Sequence, residues 1–179
     1  VRAVLEYLEI GDGIEIHHFS DLPSRTGLGS SSAFTVGLIA AVRALKGEAP
    51  GAAALAAEAI HVEQKVMHET VGIQDQIQTA HGGLNFVRIS QEGEYTLRPL
   101  VLSRDRLADF QNHLLLYYTG EHRHASKIAA SQVENTAAGK VNEELSSLSA
   151  MARRGADILS GEGELAEFGL MLHEAWMLK

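Results

Sequence analysis

Gly27-Leu28-Gly29-Ser30-Ser31-Ser32 is the stretch of this chain whose residue types most directly suggest chemistry. Its glycines permit tight backbone geometry and close approach by a ligand. Its serines stand where a long apolar run begins, at the expected N-terminus of a helix over 30–45. At such an end the N–H groups lack partners and the helix dipole favours an anion. The hydroxyls can cap the helix, bind a phosphate oxygen or coordinate Mg²⁺. A flexible linker needs neither the apolar helix that follows nor Pro23 before it. A serine-nucleophile elbow places glycines two residues either side of the serine, but Ser31 has Ala33 after it. The Walker loop calls for lysine where Ser30 stands, and the dinucleotide fingerprint for glycine where Ser32 stands. Two readings stay open on composition: a phosphate cradle, or a well-capped core helix after a tight turn.

Other residues could join such a cradle. Asp75 starts a short helical pattern beside Gln74 and Gln76, polar groups that could orient it; a helix cap is the other reading. Arg123 carries a planar fork suited to a phosphate, with Thr119 and Gly120 shaping the wall beside it. His61 and His68 are two helical turns apart, too far for easy joint ligation of a metal. His17 and His18 alternate along an expected strand and cannot both face one site.

Pro23-Ser24-Arg25-Thr26-Gly27-Leu28-Gly29-Ser30-Ser31-Ser32-Ala33 closely resembles the phosphate-binding motif of the GHMP small-molecule kinases, Pro-x-x-x-Gly-Leu-Gly-Ser-Ser-x-Ala. Val71-Gly72-Ile73-Gln74-Asp75-Gln76, followed by His81-Gly82-Gly83-Leu84-Asn85-Phe86, is similar to a segment of the sugar-kinase branch. So is Tyr118-Thr119-Gly120-Glu121-His122-Arg123-His124-Ala125-Ser126. Together they resemble most closely the heptose phosphate kinases of that branch, with Ile73 where the branch usually carries lysine.

The resemblance implies ATP and Mg²⁺ as cofactors. It implies transfer of the γ-phosphate to a sugar phosphate, with the anomeric hydroxyl of D-glycero-D-manno-heptose 7-phosphate as the expected acceptor. Other sugars or small alcohols are the alternative acceptors; a non-catalytic nucleotide-binding module or an inactive fragment is the alternative outside catalysis. The backbone of Gly27, Leu28, Gly29, Ser30, Ser31 and Ser32 would hold the ATP phosphates. Ser31 and Glu63, the latter twelve positions before Asp75, would bind the metal, a carboxylate being a suitable hard donor. Glu58 and Glu69 have the wrong spacing. Asp75 would face the substrate hydroxyl as the catalytic residue. An ordinary aspartate titrates near 3.9, so its positioning weighs at least as much as proton removal. Gln74, Gln76, Thr119, Gly120 and Arg123 would line the substrate side.

The elements that must position these residues follow from pattern. Val1, Val4, Leu5 and Leu8 share a helical face. Residues 14–19 alternate as a strand. Helices are expected over 30–45, 52–66 and 75–80, and a hairpin joins 84–89 to 95–100 across Gln91-Glu92-Gly93-Glu94. Leu114 to Tyr118 is wholly apolar and reads as a central strand. Helical patterns follow over 125–133, 141–159 and 165–176. The expected fold class is α+β, a two-layer α/β arrangement. The resemblance implies an N-terminal domain with a left-handed β-α-β crossover over 1–105 and a ferredoxin-like C-terminal domain over 106–179, both incomplete. The chain reads as an excised piece of something longer.

Bulk properties accord with this. The 179 residues are 45% hydrophobic and 21% charged, ordinary globular composition. A formal net charge of -8 argues against a nucleic-acid partner. The chain has no cysteine, which fits a reducing, cytoplasmic compartment. No run reaches the ~20 apolar residues of a membrane span. Sheet edges left without neighbours would favour a homo-oligomer.

Overall fold

The computed structural model describes residues 1–11, 13–21, 27–117, 132–161 and 163–178. It divides into two compact units, with the break between Gly83 and Leu84. The sequence expectation placed the hairpin with the first domain; in the structure it groups with the second unit.

The first unit is helical. Helix α1 spans Arg2–Tyr7, α2 Ser30–Leu45, α3 Ala52–His61 and α4 Gln74–His81. Helix α2 buries Ser32, Thr35, Val36, Leu38, Ile39 and Val42, an apolar stripe with polar residues only in its first turns. Its end is marked by Gly47 at φ 76, where only glycine is unstrained, and by backbone bonds from Lys46 and Gly47 back into the last turn. Helix α3 buries Ala56 and Ala59, and these small side chains let α2 and α4 pack closely on it. The core joins Val4 and Leu8 of the first segment to Val36, Ile39 and Val42 of α2 and to Ala59 and Val62. Arg43 ties α2 to α3 through Glu58 and reaches Glu48 at 2.7 Å. Lys46 donates to the Leu8 carbonyl at 2.5 Å.

Helix α3 does not end at His61. It widens into a π-helical turn over Val62–Val66, with Met67 N–H donating to the Val62 carbonyl at 2.8 Å. The wider turn leaves both Val62 and Glu63 buried. His68, at φ 55, then reverses the chain, and Gln64 Nε2 holds the following loop through the Val71 carbonyl at 2.9 Å.

In the second unit β1, Asn85–Ile89, pairs antiparallel with β2, Tyr95–Pro99, in the register Asn85↔Pro99 to Ile89↔Tyr95. Ser90 and Glu94 close the turn, with Gly93 at φ 85. Helix α5, Arg104–Asn112, starts at Ser103, whose hydroxyl accepts from Arg106 N–H at 3.1 Å. Helix α6 spans Asn142–Ser160 and α7 Leu165–Met177. Arg106 donates to the Ile158 and Gly163 carbonyls at 2.8 Å, satisfying the end of α6. Phe110 meets Phe168 edge to face at 5.5 Å.

The α+β class holds: helices plus one antiparallel hairpin. Two strand expectations do not. Residues 14–19 and 114–117 form no strand, and β1–β2 is the one sheet among the described residues. The reason is physical. A strand is stable only through ladder partners and a covered face, and Leu115 and Tyr117 stand 89% and 81% exposed. Helix α5 is an element that the sequence patterns above do not announce. The helix expected over 125–133 lies mostly outside the described residues.

Candidate active site

The cradle begins with two glycines in left-handed backbone, Gly27 at φ 79 and Gly29 at φ 71. Gly29 is the N-cap of α2 and offers no side chain to cap it. The first N–H groups of the helix, from Ser30 onward, are therefore left for another partner. The first turn of α2 carries no acidic residue of its own. Leu28 is half exposed and Ser31 is exposed. Pro23 to Thr26 lie outside the described residues.

Asp75, in the first turn of α4, comes to this loop across the unit. A Cβ built on Gly29 would stand 3.0 Å from Asp75 Cγ and 3.1 Å from Oδ2. The carboxylate is exposed and lies against the cap of α2. The same test at Gly27 meets nothing within 4 Å. One glycine accommodates the carboxylate; the other leaves open space.

Beneath this contact is a buried polar cluster. Glu63 is 2% exposed, Gln76 1% and Ser32 5%. Ser32 Oγ donates to Glu63 Oε2 at 2.9 Å, and Gln76 Nε2 donates to the same oxygen. Glu63 Oε1 and Gln76 Oε1 are buried without a hydrogen-bond partner. The hydroxyl on Glu63 is thus that of Ser32, not Ser31. Gln76, expected on the substrate side, points inward, whereas Gln74 and Asp75 are exposed. Helical geometry accounts for this. Gln76, Ile77 and Ala80 share the inner face, at i, i+1 and i+4, and Asp75 falls outside it. That spacing was the available signal in the sequence.

The metal expectation can be tested on these atoms. Glu63 Oε2 already accepts two bonds, and Oε1 accepts none. An unpaired carboxylate oxygen is a donor suited to Mg²⁺. Among the described residues no three His, Cys, Asp or Glu side chains gather as a metal site. The protein would then supply one or two oxygens, and nucleotide phosphates and water the rest, the usual Mg²⁺ arrangement. The residues fit on those terms.

Two of the histidines pack against aromatic rings. His61 contacts the Tyr7 ring at 5.6 Å, and His18 meets Phe34 edge-on at 4.9 Å. His17 lies beside Glu15 at 2.7 Å. Glu58 is taken by Arg43, whose pKa is raised by that hydrogen bond first and by the one to Glu48 second. Thr119, Gly120, Arg123, His122 and His124 lie outside the described residues.

Comparison with known proteins accords with this geometry. Residues 1–83 match the GHMP kinases N terminal domain. This matched segment coincides with the first compact unit as far as Gly83. The chain is 28% identical to the D-glycero-alpha-D-manno-heptose 7-phosphate kinase of Campylobacter jejuni subsp. jejuni serotype O:2, over 183 residues covering 99% of this chain and 52% of that protein. It spans about half the length of the curated relative it matches. No helix among the described residues is long and apolar enough to cross a membrane.

Proposed function

We propose that this chain is part of an ATP-dependent kinase that transfers the γ-phosphate to a hydroxyl of a sugar phosphate. The preferred acceptor is the anomeric hydroxyl of D-glycero-D-manno-heptose 7-phosphate. The observation that carries the reading is Asp75 seated against Gly29, at the helix end prepared for phosphate. The relative's printed activity and the shared N-terminal domain support it.

The roles follow from the atoms. The backbone of Gly27 to Ser32 receives the ATP phosphates, because the first N–H groups of α2 have no side-chain cap. The Ser32 hydroxyl is committed to Glu63 and contributes its N–H rather than its oxygen. Asp75 accepts a hydrogen bond from the acceptor hydroxyl, aligns it and takes its proton as the oxygen bonds to phosphorus and ADP departs. Mg²⁺, held by Glu63 and Ser31, offsets charge on the phosphates when bound. Gln74, Thr119, Gly120 and Arg123 are assigned to the sugar phosphate, and a cytoplasmic location belongs to the same proposal.

Calorimetric titration of MgATP, followed by a panel of sugar and sugar-phosphate acceptors read by ADP release, tests this. Saturable binding and turnover with heptose 7-phosphate are expected. Turnover with a different sugar or a small alcohol would move the substrate and keep the class. Binding without turnover on any acceptor would leave a nucleotide-binding module and end the kinase reading.

A further inference from the structure

We propose that Gln76 is a positioning residue that keeps Asp75 on the cradle, acting through Glu63 and Ser32. The inference rests on the kinase reading above and assigns Gln76 a part in it that is not contact with substrate.

Five residues close a ring. Gly29 caps α2, and Ser32 follows in the first turn of the same helix. Ser32 donates to Glu63, Gln76 donates to Glu63, and Gln76 is the neighbour of Asp75. Asp75 returns to Gly29. Glu63 sits in the π-helical turn that extends α3, so the ring joins three chain segments. Each buried member constrains the next. A carboxylate only accepts hydrogen bonds, so the Gln76 amide must present its nitrogen to Glu63. That leaves the amide oxygen buried and without a donor. The bond from Gln76 to Glu63 ties the inner face of α4 to the π-helical turn. Consecutive helical residues lie about 100° apart around the axis, as 3.6 residues per turn requires. Pinning Gln76 inward therefore pins Asp75 outward, over Gly29.

The bonds on Glu63 also leave Oε1 unpaired, the oxygen assigned above to the cation.

The experiment is a double-mutant cycle in the full-length protein. Gln76→Met keeps the length of the side chain and removes the donor. Turnover number, KM for ATP, MgATP affinity and the thermal melt are measured in the wild-type and Asp75→Asn backgrounds. Gln76→Met is expected to lower kcat on the order of 100-fold in the wild type, the cost of a small misplacement. MgATP affinity should be unchanged, because Asp75 and not the cradle is released. In the Asp75→Asn background the same substitution should cost less than about threefold, because the residue it positions has already been removed. Equal losses in both backgrounds, or no loss in the wild type, overturn the proposal. If Gln76→Met gives no cooperative melt, Ser32→Ala takes its place in the cycle. Ser32→Thr, which keeps the hydroxyl, should then restore turnover, and failure to do so counts against the ring. A wild-type protein that transfers no phosphate overturns the kinase reading and this inference together. Transfer by the wild type with independent losses overturns only this one.

Discussion

Asp75 lies against Gly29: its Cγ is 3.0 Å from where a Cβ on that glycine would be. The two residues come from helices α4 and α2 and share no element. Their contact brings a carboxylate to a helix end whose N–H groups have no side-chain cap. A carboxylate there faces positive potential, which is also the potential that receives a nucleotide phosphate. Glycine is favoured here twice over, by its left-handed backbone and by the Asp75 carboxylate crowding the place a Cβ would take.

Substituting Gly29 separates these requirements when compared with Gly27. Alanine at either position costs about 1–2 kcal/mol for the left-handed conformation, read as a lower melting temperature. Gly27→Ala meets nothing further within 4 Å, whereas Gly29→Ala displaces Asp75. Turnover should therefore fall more in Gly29→Ala than in Gly27→Ala for a similar loss of stability. Equal turnover losses would remove the Gly29–Asp75 contact from the mechanism.

Asp75→Asn preserves shape and removes the base. Turnover should fall by about 10²–10⁴-fold, the usual contribution of a positioned acid or base. MgATP affinity, measured by calorimetry, should hardly change. Unchanged turnover would take Asp75 out of the reaction.

Glu63 is predicted to act on both stability and metal. Glu63→Leu strands the Ser32 hydroxyl and the Gln76 amide in the interior. Each stranded group should cost about 1–3 kcal/mol, seen as an earlier thermal transition. Glu63→Gln keeps an acceptor for both donors and removes the charge. Its melt should move less, while the Mg²⁺ dependence of nucleotide binding weakens. A Glu63→Gln protein with wild-type Mg²⁺ dependence would assign the metal elsewhere.

Arg43 supplies a control away from the site. It joins α2 to α3 through Glu58 and reaches Glu48. Glu58→Gln should lower the melting temperature and leave MgATP affinity and kcat as they are. Loss of nucleotide binding would mean that Glu58 takes part in the site after all.

Much of this was legible in the residues. Helix α2 begins and ends where the serine run and Lys46-Gly47 place it, because an apolar stripe and a left-handed glycine are local signals. The hairpin was read for the same reason, two alternating runs around a glycine turn. The unpaired runs at 14–19 and 114–117 misled, since their patterns suit strands but the described residues offer them no ladder. Helix α5 was overlooked because it buries no residue fully. The π-helical turn left no periodic mark, yet it is what buries Glu63. The roles expected of Asp75 and Glu63 are what the family resemblance implies; the bond between Glu63 and Ser32 depends on how three helical segments pack, which a motif does not specify.

The most direct test of the account follows phosphorus itself. The full-length protein is mixed with MgATP and D-glycero-D-manno-heptose 7-phosphate and observed by ³¹P NMR. The account predicts loss of the γ-phosphate resonance, growth of ADP, and a second phosphoester on the sugar at its anomeric carbon. ATP that persists unchanged, or decays only to ADP and inorganic phosphate with the sugar untouched, would contradict it.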